Sequence, residues 1–262
     1  MKKFLTLLLV LALAMTALIG CTNEAEKPET EVEVETDVET EVEAEAEVEA
    51  EPELETVTEE VAVMTYEEYV AAELDAPVVI EAYVQGKQSW WDNKATVYAQ
   101  DEDGAYFMYE MACSEEDYAL LENGTKIRVS GFKAEWAGEV EIVDATFEIV
   151  EGAEAYIATP VDATAWLGTD ELIKHQNELV YFTGLTVEEI TFKNEGGDDI
   201  YVKLSKDGQT YDFCVEYYLT GEDTEVYQAV SALNTGDVID VTGFLYWYEG
   251  VNTHITSITV AE

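Results

Sequence analysis

The sequence predicts an all-β fold with short helices, in which two consecutive five-stranded units follow an acidic linker. Three observations lead to this prediction. A ten-residue block that begins at Asn123 recurs at Thr235, a hairpin signal precedes each copy, and a short helix lies between hairpin and block in both places. A pattern that recurs with the same order of elements indicates a duplicated structural unit.

The repeated block carries the same residues at the same spacing. Gly124, Ile127, Val129, Gly131 and Phe132 recur as Gly236, Ile239, Val241, Gly243 and Phe244. The alternation of apolar residues predicts a half-buried strand in each copy. Each copy continues into an aromatic segment and a turn glycine, Gly138 or Gly250. A final β-rich run follows, Val140–Ile149 in one copy and His254–Val260 in the other.

Upstream of each block, Asp-Gly pairs predict the tips of two hairpins, at Asp103-Gly104 and Asp207-Gly208. The expected arms are Ala95–Gln100 with Ala105–Met111, and Ile200–Leu204 with Thr210–Val215. A first strand precedes each hairpin, at Val78–Gln85 and Leu179–Val187.

Helix signals fill the remaining positions. Ser114 is expected to cap a helix between the third and fourth strands, and the corresponding helix is expected over Thr224–Leu233. Lead-in helices are predicted from the Thr65 and Glu68 capping box and from Thr169-Asp170-Glu171.

Each half therefore has the order strand, strand, strand, helix, strand, strand, which resembles the oligonucleotide/oligosaccharide-binding (OB) fold, a five-stranded Greek-key barrel. The Gly-x-x-Ile-x-Val-x-Gly-Phe block is similar to the fourth strand of bacterial OB proteins. The resemblance implies two OB-like domains, 63–152 and 160–262, that meet near Gly152 and Pro160. The alternative is a single β-sandwich of ten strands, and the helix in the same place of both halves argues against it.

The N-terminus predicts export and anchoring. Lys2 and Lys3 precede an uncharged apolar run, which is typical of a signal peptide over residues 1–20. The following Leu18-Ile19-Gly20-Cys21 resembles the bacterial lipobox, which implies a lipid on Cys21 and an extracytoplasmic protein held on the cell membrane. The alternative is an ordinary signal peptide with an incidental cysteine.

Residues 21–62 are expected to form a disordered acidic linker. Glu alternates there with Val, Thr and Ala, and no aromatic residue occurs. A strand built from this pattern would place like charges opposite each other, so high charge with low hydrophobicity favours disorder. The linker is either a spacer or merely a solvated tail.

The charge balance narrows the expected partners. The chain has 58 acids against 12 bases and a net charge of −46. Nucleic-acid binding depends on a basic surface, so we expect no nucleic-acid partner. Carbohydrate, peptide or another envelope protein fits this charge better.

No catalytic motif is present, so we expect a protein that is not an enzyme and needs no cofactor or metal. His175 and His254 are expected in capping or surface roles. The acidic turn before Gly104 fails the EF-hand calcium-loop spacing, since Ala99 stands where a first ligand would be, and calcium binding of another kind is the alternative. Cys113 and Cys214 are expected to be buried, reduced thiols, and the alternative is a disulfide between them, which an exported protein permits.

Aromatic residues are the remaining candidates for ligand binding. They lie where OB proteins bind ligands, near the loops after strands one and four. The candidates are Trp90, Trp91, Trp136, Tyr246, Trp247 and Tyr248. The alternative is that one Trp of each pair closes a barrel end. The two hypotheses are a non-catalytic surface module for carbohydrate or peptide, and an accessory component of an envelope complex without a small ligand.

Overall fold

The computed structural model of the protein describes residues 62–194 and 197–261. The predicted signal peptide, Cys21 and all but the last residue of the predicted linker lie outside the described residues. The first element is a short helix, α1 (Tyr66–Ala71), whose capping box is confirmed. The Glu68 carboxylate accepts a hydrogen bond from the Thr65 backbone N–H over 2.9 Å, and Thr65 Oγ1 accepts one from the Glu68 N–H over 3.2 Å.

The first sheet contains five strands and one helix, in the order that the sequence predicts. They are β1 (Pro77–Lys87), β2 (Lys94–Gln100), β3 (Ala105–Ala112), α2 (Glu115–Leu120), β4 (Lys126–Trp136) and β5 (Glu139–Ile149). Ser114 caps α2 by accepting a hydrogen bond from the Asp117 N–H over 3.1 Å.

This first sheet closes into a barrel with the order β1-β2-β3-β5-β4. The two ends of the order join because β1 pairs with β2 through its second half and with β4 through its first half. Strands β3 and β5 run parallel at Met108 and Ile142, whereas the other pairs are antiparallel. The OB-like strand order predicted for the first half is confirmed.

The barrel interior takes the apolar residues of the predicted alternation. Ile80, Val84, Met108, Ile127 and Ile142 are all fully buried in one cluster. Each side chain of this size stabilises the fold by roughly 1.5–3 kcal/mol relative to an exposed position, so the alternation is sufficient to select the inward face.

The second sheet consists of β6 (Val161–Asp162), β7 (Leu179–Phe192), β8 (Ile200–Lys206), β9 (Gln209–Val215), β10 (Val238–Phe244) and β11 (Asn252–Val260), with helix α3 (Glu225–Ser231) after β9. The order is β10-β11-β9-β8-β7-β6, with an additional pairing of β10 with β7.

The second half differs from the predicted five-stranded barrel in two ways. It has a sixth strand, β6, which pairs in parallel with β7. The predicted lead-in helix is replaced by two 3-10 turns, Thr164–Trp166 and Leu172–His175. A two-residue strand is too short for any periodic signal, which explains why the sequence did not reveal β6.

Both sheets belong to one compact unit. A third apolar cluster joins them, formed by Tyr98 and Phe107 of the first barrel and Phe244 of β10. The Tyr98 and Phe244 rings stack with centroids 4.4 Å apart. Gly86 permits this contact, because a Cβ atom there would lie 2.8 Å from the Phe244 ring.

Cys113 and Cys214 are buried and free, as the sequence predicts. Within the described part of the chain, no helix has the length and apolar character needed to cross a membrane.

Candidate functional site

A cleft of about 1250 Å³ lies between the two sheets. Its walls are formed by β2 and β3 of the first barrel, by β8 and β9, and by the connection between β10 and β11. Five aromatic side chains in these walls are exposed by 42–65%: Trp91, Tyr109, Tyr201, Tyr218 and Tyr248. Apolar rings left open to solvent in a concave site are available to a ligand.

A β-bulge brings two adjacent residues of β3 to the cleft. The register between β2 and β3 shifts between Ala95 and Val97, and Glu110 has a left-handed backbone with φ of 48°. Strand geometry would place Tyr109 and Glu110 on opposite faces, but a bulge redirects one side chain. Both residues therefore line the cleft.

A tight turn places Trp91 at the rim. Asp92 and Asn93 have φ of 49° and 58°, and Trp91 and Lys94 pair across them. Two residues with positive φ make the mirror-image turn that suits a hairpin. Trp91 is consequently 65% exposed.

Three of the six predicted ligand-binding residues line this cleft. They are Trp91, Tyr246 and Tyr248. Tyr246 is half-buried and stacks on His254 with ring centroids 4.2 Å apart.

The other three predicted residues lie elsewhere. The Trp90 indole donates a hydrogen bond to the Cys113 carbonyl over 2.9 Å, so this ring is part of the first barrel's packing. Trp247 packs against the core of the second sheet. Trp136 is 62% exposed but does not contribute to the cleft.

The cleft is acidic. Its walls carry five carboxyl groups, those of Glu110, Asp199, Asp212, Glu216 and Glu249, and one ammonium group, that of Lys94. Lys94 Nζ lies 2.5 Å from Glu110 Oε2, so its charge is compensated within the cleft.

Glu216, like Glu110 and Asp199, is half-buried, and its pKa is strongly shifted. Burial, with Asp199 as a second cause, raises the pKa of Glu216 to about 7. One of its carboxylate oxygens accepts a hydrogen bond from the Leu219 N–H over 2.8 Å. The charge of the cleft therefore changes around neutral pH.

His254 occupies the inner wall of the cleft rather than a surface position, so its predicted capping or surface role is not what the structure shows. Its Nδ1 lies 2.6 Å from the hydroxyl oxygen of Tyr98. Burial lowers the pKa of His254 to about 3, so the ring is neutral at physiological pH. His175 stacks on Trp166 outside the cleft.

Sequence reasoning missed Tyr109, Tyr201 and Tyr218, which line the cleft. Tyr201 carried a weak signal, because it alternates with buried Ile200 and Val202 in a predicted hairpin arm. Nothing in the sequence indicated that β3 and β8 contribute to the same cleft. Across residues 62–194 and 197–261, no group of three or more His, Cys, Asp or Glu side chains has the geometry to hold a metal ion.

No protein-family model matches the chain, and no curated protein matches its sequence. Solved structures do resemble it. One is described as the Ifi202 HINa domain in complex with 20-base-pair double-stranded DNA, with 12% identity and a TM-score of 0.34, covering 72% of this chain and 97% of that one. A murine DNA-binding protein bound to double-stranded DNA has 13% identity and a TM-score of 0.34, covering 71% and 95%.

A third similar structure is a Replication Protein A heterotrimer bound to single-stranded DNA, with 12% identity and a TM-score of 0.30, covering 71% of this chain and 49% of that one. None of these three descriptions names an enzyme. These descriptions contradict two expectations, the carbohydrate or peptide ligand of a surface module and the exclusion of nucleic acid, because the similar structures are described as DNA complexes. At this identity and TM-score, the likeness itself assigns no ligand to this chain.

Proposed function

We propose that the cleft is a non-catalytic binding site for an organic cation, a ligand with an ammonium group on an apolar body. The observation that carries this proposal is the composition of the cleft walls. Five exposed aromatic rings and five carboxyl groups share one site with a single ammonium group, which is already paired.

The rings favour a cation through their faces. A cation over a Trp or Tyr face gains about 0.5–1 kcal/mol at exposed sites, and more where water is excluded. Trp91 and Tyr109 belong to the first half of the chain. Tyr201 on β8, and Tyr218 and Tyr248 in the loops after β9 and β10, belong to the second half. A ligand between the two walls can therefore contact rings of both.

The carboxyl groups favour the same ligand through charge. Asp212 and Glu249 are exposed and make no ion pair with a described residue. A concave site lined by one sign of charge raises the local concentration of the opposite ion. Charge and aromatic rings thus select the same chemical class.

The test measures binding of choline and of its uncharged isostere 3,3-dimethylbutan-1-ol by calorimetry, with a single-stranded oligonucleotide as competitor. We expect choline to bind and the neutral isostere to bind at least tenfold more weakly. We expect Trp91→Ala to weaken choline binding about two- to fivefold, which corresponds to the loss of one exposed cation–π contact.

Trp136→Ala is the matched control, since Trp136 is 62% exposed and Trp91 is 65% exposed. Only Trp91 lines the cleft. Equal binding of the neutral isostere, equal losses in the two variants, or displacement of choline by the oligonucleotide would each overturn the proposal.

We also propose that the second sheet is a second OB-like barrel to which β6 is added as an extra strand. Two pairings support this proposal. Strand β10 pairs with β11 and with β7, as β4 pairs with β5 and with β1. Strands β9 and β11 run parallel, as β3 and β5 do.

Finally, we propose that the protein is exported and held on the bacterial membrane by a lipid on Cys21. The lipobox-like Leu18-Ile19-Gly20-Cys21 after an uncharged apolar run supports this proposal. Two acyl chains on one residue are sufficient for durable anchoring, whereas a single chain is marginal.

A further inference from the structure

The imidazole of His254 is held in one orientation at the inner wall of the cleft. Tyr246 stacks on one face of the ring, with the planes 21° apart. The Tyr98 hydroxyl lies 2.6 Å from Nδ1. A ring stacked on a neighbour and hydrogen-bonded at one nitrogen presents its other nitrogen in a constant direction.

The hydrogen bonds of Tyr98 determine which ring nitrogen carries the proton. The Gln88 side-chain amide donates to the Tyr98 hydroxyl oxygen over 3.1 Å. Among the described residues the Tyr98 hydroxyl has no acceptor other than His254 Nδ1, so its proton is donated to this nitrogen. In a neutral imidazole the other nitrogen, Nε2, carries the hydrogen.

Nε2 is the ring nitrogen left for a ligand. His254 lines the cleft, and among the described residues no side chain or backbone group is hydrogen-bonded to its Nε2. Nε2 has no partner among these residues and yet is not one of their fully buried polar atoms, so it is accessible from the cleft. The inner wall of an otherwise acidic cleft therefore offers a neutral hydrogen-bond donor.

We propose that the ligand is a cationic ester or amide, whose carbonyl oxygen accepts a hydrogen bond from His254 Nε2 while its ammonium group lies among the rings and carboxyl groups. This inference rests on the proposed cation site and specifies its ligand class. A neutral carbonyl fits better than a carboxylate, because an anion at this depth would be repelled by the carboxyl groups of the same cleft.

The probes are acetylcholine and pentyltrimethylammonium, which share charge and chain length and differ in the ester. We expect wild-type protein to bind acetylcholine about three- to tenfold more tightly, as one net hydrogen bond gives. His254→Phe should abolish this preference and leave pentyltrimethylammonium binding within about twofold. His175→Phe, which changes the histidine outside the cleft, should keep the preference.

A second measurement does not depend on a variant that folds. In wild-type protein, the NMR resonance of the proton on His254 Nε2 should shift with acetylcholine and stay unchanged with pentyltrimethylammonium. Equal affinities for the two cations, a preference that survives His254→Phe, or an unresponsive resonance would overturn the inference and leave the cation site standing. Failure of both cations to bind would overturn the cation site as well.

Discussion

The carboxyl group of Glu139, at the start of β5, accepts a hydrogen bond from the backbone N–H of Trp247 in the second half of the chain, over 2.8 Å. Glu139 is fully buried, and its Oε1 and the Oδ1 of Asn177 both lack a hydrogen-bond partner. Burial raises the pKa of Glu139 to about 9. A proton on Glu139 turns an unsatisfied acceptor into a donor, which is the less costly state for a buried carboxyl group.

This group makes the free energy of unfolding depend on pH. Between its ordinary pKa of 4.5 and the raised value of about 9, Glu139 is protonated in the folded chain and ionised in the unfolded chain. Stability is therefore lost as pH rises through this window, by up to about 1.4 kcal/mol per pH unit.

Glu139→Gln should flatten the dependence measured by urea unfolding at pH 5.5 and 8.5. Glu148→Gln, at an exposed position of the same strand, should leave it as steep as in wild type, and an unchanged slope in Glu139→Gln would contradict the assignment.

The two phenylalanines of the repeated block, Phe132 and Phe244, should contribute differently to the free energy of unfolding. Phe244 is 3% exposed and stacks on Tyr98, whereas Phe132 is 45% exposed. Phe244→Ala should lower the free energy of unfolding by about 3–5 kcal/mol through the cavity it leaves. Phe132→Ala should cost less than about 1 kcal/mol. Similar losses for the two variants, measured by urea unfolding, would show that the contact between the sheets contributes little.

The repeat also shows how far sequence reasoning extends. Hairpin tips, strand alternation and helix caps are local signals, and they predicted every strand of the two sheets except β6, with ends displaced by a few residues. The difference in burial between Phe132 and Phe244 cannot be predicted from local sequence. It depends on whether a second surface covers the ring, and the covering residue, Tyr98, is distant in the sequence.

The candidate site was predictable to a similar extent. The aromatic positions near Trp91 and Tyr248 carried a signal because they follow strands whose loops were recognised. The sequence could not show which of the adjacent Trp90 and Trp91 is exposed, since the carbonyl that accepts the hydrogen bond of the Trp90 indole belongs to Cys113, just after β3. The carboxyl groups of the cleft could not be predicted, because in a chain with 58 acidic residues no single carboxyl group stands out by its sequence pattern.

The proposed anchor predicts a change in fractionation. Cys21→Ser removes the sulfur that would carry the lipid, so the protein should leave the membrane fraction or accumulate with its leader uncleaved. Cys113→Ser changes a buried thiol and should leave membrane association intact. Membrane retention of a correctly processed Cys21→Ser variant would exclude the anchor.

The cation affinity of the cleft should rise with pH, because Glu216 ionises near neutrality. Its pKa is raised to about 7 by burial and by Asp199, while the backbone N–H groups of Tyr218 and Leu219 and the Lys193 ammonium act in the opposite direction. A choline ion gains a carboxylate neighbour as pH increases from 5.5 to 8.5, worth about 1 kcal/mol in a partly solvated site, or about fivefold in affinity.

Calorimetry at the two pH values should show this rise in wild type and in Glu249→Gln, which removes an exposed carboxylate of the same cleft. Glu216→Gln should abolish it, and a rise that persists in that variant would assign the titration to another group.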